Sequence, residues 1–280
     1  DFLMSVIRVD SVATQLSRRG AVTGSLPPDG LVLALSLSPE SRAATTFAAL
    51  AAELAARMPS SSTAAGYPMP SSTLHCTIAT LRPFKARRRS ATALEAELDA
   101  VWRPLLDEAA ADAEWPSRPI TLCWLRPQSL GATCTIARVD DVGGAVLAMR
   151  ACIRRAIARQ GGIAKEGVGS LDASTPCPVD GVAADSISHI PDIMHTSLLR
   201  WADANPAAEV VDGFRDDVLP DGAEVAFAAA VEACWPTSDD ASGSARRMTV
   251  EATFDFVSLR VDRGYMHGDS HDVWRSDFAC

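Results

Sequence analysis

Two short segments of this chain share one layout, and that repetition restricts the folds open to it. They are Leu74-His75-Cys76-Thr77-Ile78-Ala79 and Met194-His195-Thr196-Ser197-Leu198-Leu199, with the two histidines 120 residues apart. Each reads apolar–His–x–hydroxyl–apolar, and each is entered from a stretch containing proline. Short apolar runs that follow turn-forming residues predict strands. Side chains alternate faces along a strand, so a histidine and the hydroxyl two positions later point the same way, roughly 6.6–6.8 Å apart. His75 and Thr77 then share one face, with Leu74, Cys76 and Ile78 on the other. The second segment sets His195 and Ser197 against Met194, Thr196 and Leu198.

The rest of the pattern alternates strands with helices. Residues 31–37 read as a buried strand, and Pro39 opens a helix running to about Met58. The Ser-, Pro- and Gly-rich stretch 59–73 is expected to be a loop. A long amphipathic helix is predicted over 91–113, then strands over 120–125 and 132–139 joined by a turn at 127–131. Residues 142–160 read as a helix stopped by Gly161. A short helix over 207–218 and strands over 225–234 and 248–261 complete the expectation. Strands and helices in this order predict an α+β fold with largely antiparallel sheets and two similar halves.

The domain boundaries follow from what this pattern leaves out. Residues 1–28, with Arg8, Arg18 and Arg19 among serines, are expected to be an N-terminal extension, a transit-peptide remnant being the alternative. The main domain is expected over 29–263, and 264–280 as a C-terminal tail. The aperiodic stretch 161–192 is read as an inserted loop, either a mobile flap over the site or a surface insertion.

A net charge of −9 argues against nonspecific coating of nucleic acid, which rests on neutralising many phosphates, but leaves room for a small phosphate ligand. No apolar run reaches the 18 residues of a membrane-spanning helix. Seven cysteines without a CxxC pair predict reduced thiols and an intracellular, most simply cytoplasmic, location, with an organelle as the alternative.

Paired His-x-hydroxyl strands suit one chemistry well. In phosphoryl transfer on a diester, one imidazole takes a proton from the attacking oxygen while the other gives one to the leaving oxygen. The two hydroxyls would donate to the nonbridging oxygens, where transition-state charge must be held. No metal or other cofactor is required.

These motifs resemble those of the 2H phosphoesterase superfamily, over about residues 31–261. The resemblance implies a bilobal fold, with two mostly antiparallel sheets flanking a central cleft, helices outside, and one motif strand from each lobe. It implies a metal-independent phosphodiesterase acting on 2′,3′-cyclic phosphates of nucleotides or RNA ends, with His75 as proton donor and His195 as acceptor. On the residues alone the direction of proton flow stays open. Thr77 and Ser197 would bind the phosphate.

Further candidates for substrate binding are Arg82, Phe84, Lys85, Arg200 and Trp201, which follow the two motifs. The cations would form a local positive patch, and the aromatic rings would stack a base. Alternative readings are an RNA 3′-end exonuclease of the same superfamily, a non-catalytic nucleotide- or RNA-binding module, and a metalloenzyme centred on His267, Asp269, His271 and Asp272. A monomer without a membrane partner is expected.

Overall fold

The computed structural model describes residues 6–10, 13–14, 29–58, 64–82, 90–131, 134–160, 190–191, 194–203, 214–219, 221–236, 249–263 and 270–279. Eleven strands among these residues form three antiparallel sheets. The first is β11 (His271–Asp277), β10 (Phe256–Arg263), β2 (Asp29–Ser36) and β4 (His75–Arg82), in that order. The second is β3 (Ala64–Pro68), β7 (His195–Asp203), β6 (Cys134–Asp140), β5 (Ile120–Trp124) and β9 (Val250–Phe254). A small ribbon pairs β1 (Val6–Asp10) with β8 (Phe214–Val218). The class is α+β, and each large sheet carries one motif strand.

The helices tie the sheets together by packing away from the strands that precede them. Helix α1 (Arg42–Arg57) leaves β2 of the first sheet and packs on β3, β7 and β9 of the second. There Phe47 meets Trp124 edge-on at 5.4 Å and stacks on Trp235 at 6.0 Å. Helix α4 (Ala145–Arg159) leaves β6 of the second sheet and packs against β4 of the first and against α3 (Arg103–Ala110). Its first turn is capped by Asp141, whose carboxylate accepts from the amides of Ala145, Val146 and Leu147. Helix α2 (Ala91–Glu97) runs into α3 through a π-helical turn, Leu98–Trp102. Pro104 lacks the N–H that would serve the carbonyl of Ala100, so the ladder loosens there.

Several elements differ from the sequence expectation. Residues 225–234 belong to a helix, α5 (Ala223–Cys234), rather than a strand. Its alanine-rich sequence buries Ala223, Ala226, Phe227, Ala230 and Val231, a helical spacing that outweighs the two valines. Residues 214–218, expected in a helix, form β8, because β1 supplies a partner. The expected loop 59–73 contains β3. The single strand expected over 248–261 is two strands in different sheets, parted at Asp255.

Both ends of the described chain are also part of the fold. In β1, Val9 is buried in the core and Asp10 is buried beside β7. At the other end, β11 forms an edge strand, anchored where the indole of Trp274 donates to Asp107 at 2.7 Å. Strand β1 thus falls within the expected extension 1–28, and β11 within the expected tail 264–280. Residues 161–189, which hold most of the expected flap, lie outside the described residues.

Removing the ring that α1 lodges in the second sheet should be costly. Phe47→Ala is expected to destabilise the chain by about 3–5 kcal/mol, measured by urea unfolding, because its pocket is walled by rigid aromatic rings.

Candidate active site

The two motif strands are built alike. In β4 the half-buried residues are His75, Thr77 and Thr80, and in β7 they are His195, Ser197 and Arg200, at matching positions. Each strand carries a register shift just after its hydroxyl. Thr77 pairs with Ala34 but Ala79 with Leu33, and Ser197 pairs with Ile136 but Leu199 with Thr135. One extra residue, Ile78 or Leu198, is accommodated in each strand. Such a bulge reverses the alternation beyond it. It brings the fifth residue after each histidine back to the histidine's face.

The bulge decides the fate of the candidates that follow the motifs. Arg200 lies on the histidine face, and its guanidinium is 3.4 Å from the carboxylate of Asp10. Trp201 does not stack a substrate base. It is fully buried, with its indole donating to the carbonyl of Gly131 at 3.0 Å, because the bulge has turned it to the core. Arg82 is also withdrawn from the candidate set. A second register shift sets it opposite Leu31 on the core face, where it is buried 3.9 Å from Glu97. Phe84 and Lys85 lie outside the described residues, as do His267 and Asp269 of the suggested metal cluster. Among the described residues no group of three or more His, Cys, Asp or Glu side chains is placed to hold a metal ion.

The bulge of β4 is clasped from below. Arg150 of α4, itself buried, donates from Nε to the carbonyl of Ile78 and from Nη2 to that of Thr77, both at 3.1 Å. The residue between histidine and hydroxyl is structural in both strands. Cys76 is fully buried and burial pushes its thiol up to about 12, so it is no nucleophile. Thr196, equally buried, accepts from the indole of Trp124 at 2.9 Å.

The two imidazoles belong to one electrostatic unit. Nδ1 of His75 is 2.7 Å from the carbonyl of Thr73, in the 3₁₀ turn Ser71–Thr73. A carbonyl can only accept, so Nδ1 carries the hydrogen and Nε2 is the reacting nitrogen. Burial drives the pKa of His75 down to about 4; the Thr73 carbonyl opposes this, while the charges of Arg200, His195 and Arg260 reinforce it. His195 is also held below its ordinary value, by burial and then by the charges of Arg200 and Arg150. Its Nδ1 is buried and has no hydrogen-bond partner among the described residues.

Three residues near this unit were not singled out from sequence. Arg260 of β10 is 2.9 Å from Asp272 and donates to Ser36 at 3.3 Å. Ser36 is paired with His75 across β2 and β4. Cys134 lies 3.9 Å from the hydroxyl of Ser197. The alternation of 256–263 carried the signal for Arg260, since Val257, Leu259 and Val261 point inward and Ser258, Arg260 and Asp262 take the other face.

No family model matches this chain, and no curated protein matches it. Solved structures similar to it include LigT of E. coli complexed with 3′-AMP, at 15% identity and a TM-score of 0.43, covering 90% of this chain and 99% of that one. TT0787 of Thermus thermophilus is similar at 14% identity and a TM-score of 0.41, covering 89% and 97%. ATU0111 of Agrobacterium tumefaciens str. C58, a conserved protein of unknown function, is similar at 14% identity and a TM-score of 0.46, covering 92% and 89%. Likenesses of this size leave the site to be judged on its own residues.

The lowered pKa of His75 links to stability with a definite sign. The folded chain binds this proton less readily than the unfolded chain, whose imidazole titrates near 6.5. Stability from the neutral ring is fully present above pH 6.5 and is lost as pH falls toward about 4. His75→Gln should therefore lose less stability than the parent between pH 7 and about 4.5, as measured by denaturant midpoints. Equal losses would mean the ring is not held neutral.

Proposed function

We propose that this chain is a metal-independent phosphodiesterase that hydrolyses 2′,3′-cyclic phosphates of nucleotides or RNA ends. The observation that carries this reading is the pair of matched strands, in contact with each other and each with an imidazole and a hydroxyl on one face, with the charge of His195 reaching His75.

In this reading one imidazole removes a proton from water as its oxygen attacks phosphorus. The bond from phosphorus to one ribose oxygen breaks, and the other imidazole gives that oxygen a proton. Thr77 and Ser197 donate to the nonbridging oxygens. The Thr73 carbonyl fixes the tautomer of His75 and only partly offsets the burial that keeps this ring neutral in the free chain, so the assignment of His75 as donor and His195 as base rests on the resemblance of the motifs. Two lowered imidazole values have a kinetic consequence. The state with one ring protonated is populated mainly on the acid side of 6.5 in the free protein, and a bound phosphate anion raises both values.

Incubation with the four nucleoside 2′,3′-cyclic phosphates in chelator, followed by phosphorus NMR, tests the assignment. Hydrolysis to a nucleoside monophosphate is expected, and His75→Ala and His195→Ala should each lower kcat by about 10²–10⁴-fold. Near-native turnover by either variant would refute the two-histidine mechanism. Activity lost in chelator and restored by a divalent ion would favour metal chemistry instead.

The hydroxyls have a separate test. Thr77→Val and Ser197→Ala each remove one hydrogen bond to a charged oxygen, worth about 1.5–3 kcal/mol. Each should lower kcat/KM roughly ten- to hundredfold. Full activity in both would show that the hydroxyls do not touch the phosphate.

A further inference from the structure

The side of the first sheet that bears His75 carries a second polar feature that the hydrolysis does not use. Across this sheet Ser36 is the partner of His75, Ala34 of Thr77 and Val32 of Thr80. On the next strand Ser258 is the partner of Ala34 and Arg260 of Val32. Arg260 thus starts in the row of Thr80, yet its Nη1 is 3.3 Å from the hydroxyl of Ser36, in the row of His75. The side chain must run diagonally past the row of Ala34, whose methyl group leaves that lane open.

Asp272, on edge strand β11, fixes the other part of the guanidinium, with its carboxylate 2.9 Å from Nε of Arg260. Ser258 donates to the same carboxylate at 3.1 Å. The arginine is thereby held on two sides in a defined orientation. Its side chain keeps 18% of its surface exposed, so it is neither sealed in the core nor loose in solvent. Its charge also reaches His75. A fixed, partly desolvated guanidinium is suited to a charge-assisted contact with a phosphate oxygen.

We propose that Arg260, oriented by Asp272 and Ser36, forms a second anion subsite beside the reacting phosphate, and that the preferred substrate carries another phosphate next to the scissile one. This rests on the phosphodiesterase reading, in which Thr77 and Ser197 already serve the scissile group. The neighbouring phosphate is either the 5′-phosphate of the terminal nucleotide or the next phosphodiester of a chain.

Binding tests the subsite without requiring turnover. Calorimetry on the full chain would compare adenosine 3′-monophosphate with adenosine 3′,5′-bisphosphate at fixed salt. The bisphosphate should bind about ten- to hundredfold more tightly, from one charge-assisted contact. In Arg260→Gln the ratio should fall toward one, with Arg260→Lys in between. Equal affinities in the parent, or a ratio unchanged in Arg260→Gln, would overturn the proposal. Turnover of a nucleoside 2′,3′-cyclic phosphate, its 5′-phosphorylated form and a dinucleotide with the same end then separates the two phosphate sources. A parent that hydrolyses all three at one His75-dependent rate contradicts the subsite but leaves the phosphodiesterase reading intact. A parent that hydrolyses none, yet binds the bisphosphate through Arg260, contradicts that reading and leaves the subsite.

Discussion

A guanidinium buried beneath a strand is costly unless its donors are met, and Arg150 meets them with the carbonyls of Thr77 and Ile78. Those carbonyls lie where β4 holds an extra residue and the regular ladder is interrupted. The clasp therefore stabilises the irregularity that sets the direction of every side chain beyond it. It also joins the halves, since Arg150 comes from a helix that begins at the end of a second-sheet strand and packs under the first sheet. The same charge is among those holding His195 below its ordinary value. One buried cation thus links backbone geometry in one sheet to imidazole chemistry in the other.

The two bulges make the site more than a pair of histidines. Strict alternation would carry Thr77 and Ser197 to the histidine face, then place Ala79 and Leu199 there too. With the bulges, Thr80 and Arg200 occupy that face and the apolar residues return to the core. The second strand gains a cation that sits against Asp10 from the first strand of the chain. The amino-terminal segment so contributes to the electrostatics of the site as well as to the edge of the fold. Burial and arginine charges together favour neutral imidazoles until an anion arrives to offset them.

Much of this was legible in the sequence because period-two alternation is a strong signal. The motif strands, the α1 and α4 helices and the strand at 31–37 all follow from apolar spacing. The direction of His75, Thr77, His195 and Ser197 required only the strand assignment. What alternation cannot reveal is an inserted residue, and the misjudged role of Trp201 traces to one; Arg82, seven positions after His75, falls on the core face by plain alternation, its two register shifts cancelling. Helix α5 was misread because valines at 225 and 231 suggested a strand, although its six alanines, the strongest helix formers, and the spacing of its buried residues carried the helical signal. The terminal strands were missed for a different reason. A short edge strand has little pattern of its own and is defined by its partner, β8 for β1 and β10 for β11. Arg260 had a readable signal, an alternating polar face on β10, but no motif to draw attention to it.

In the proposed reaction two imidazoles share one anion-binding site, each held below its ordinary pKa until an anion binds. The most direct test is NMR titration of the His75 and His195 ring carbons, assigned with the single variants, with and without saturating adenosine 3′-monophosphate. The prediction is that both rings titrate below 6.5 in the free chain and that both values rise together in the complex. Two rings titrating near 6.5, or a nucleotide that moves only one of them, would contradict it.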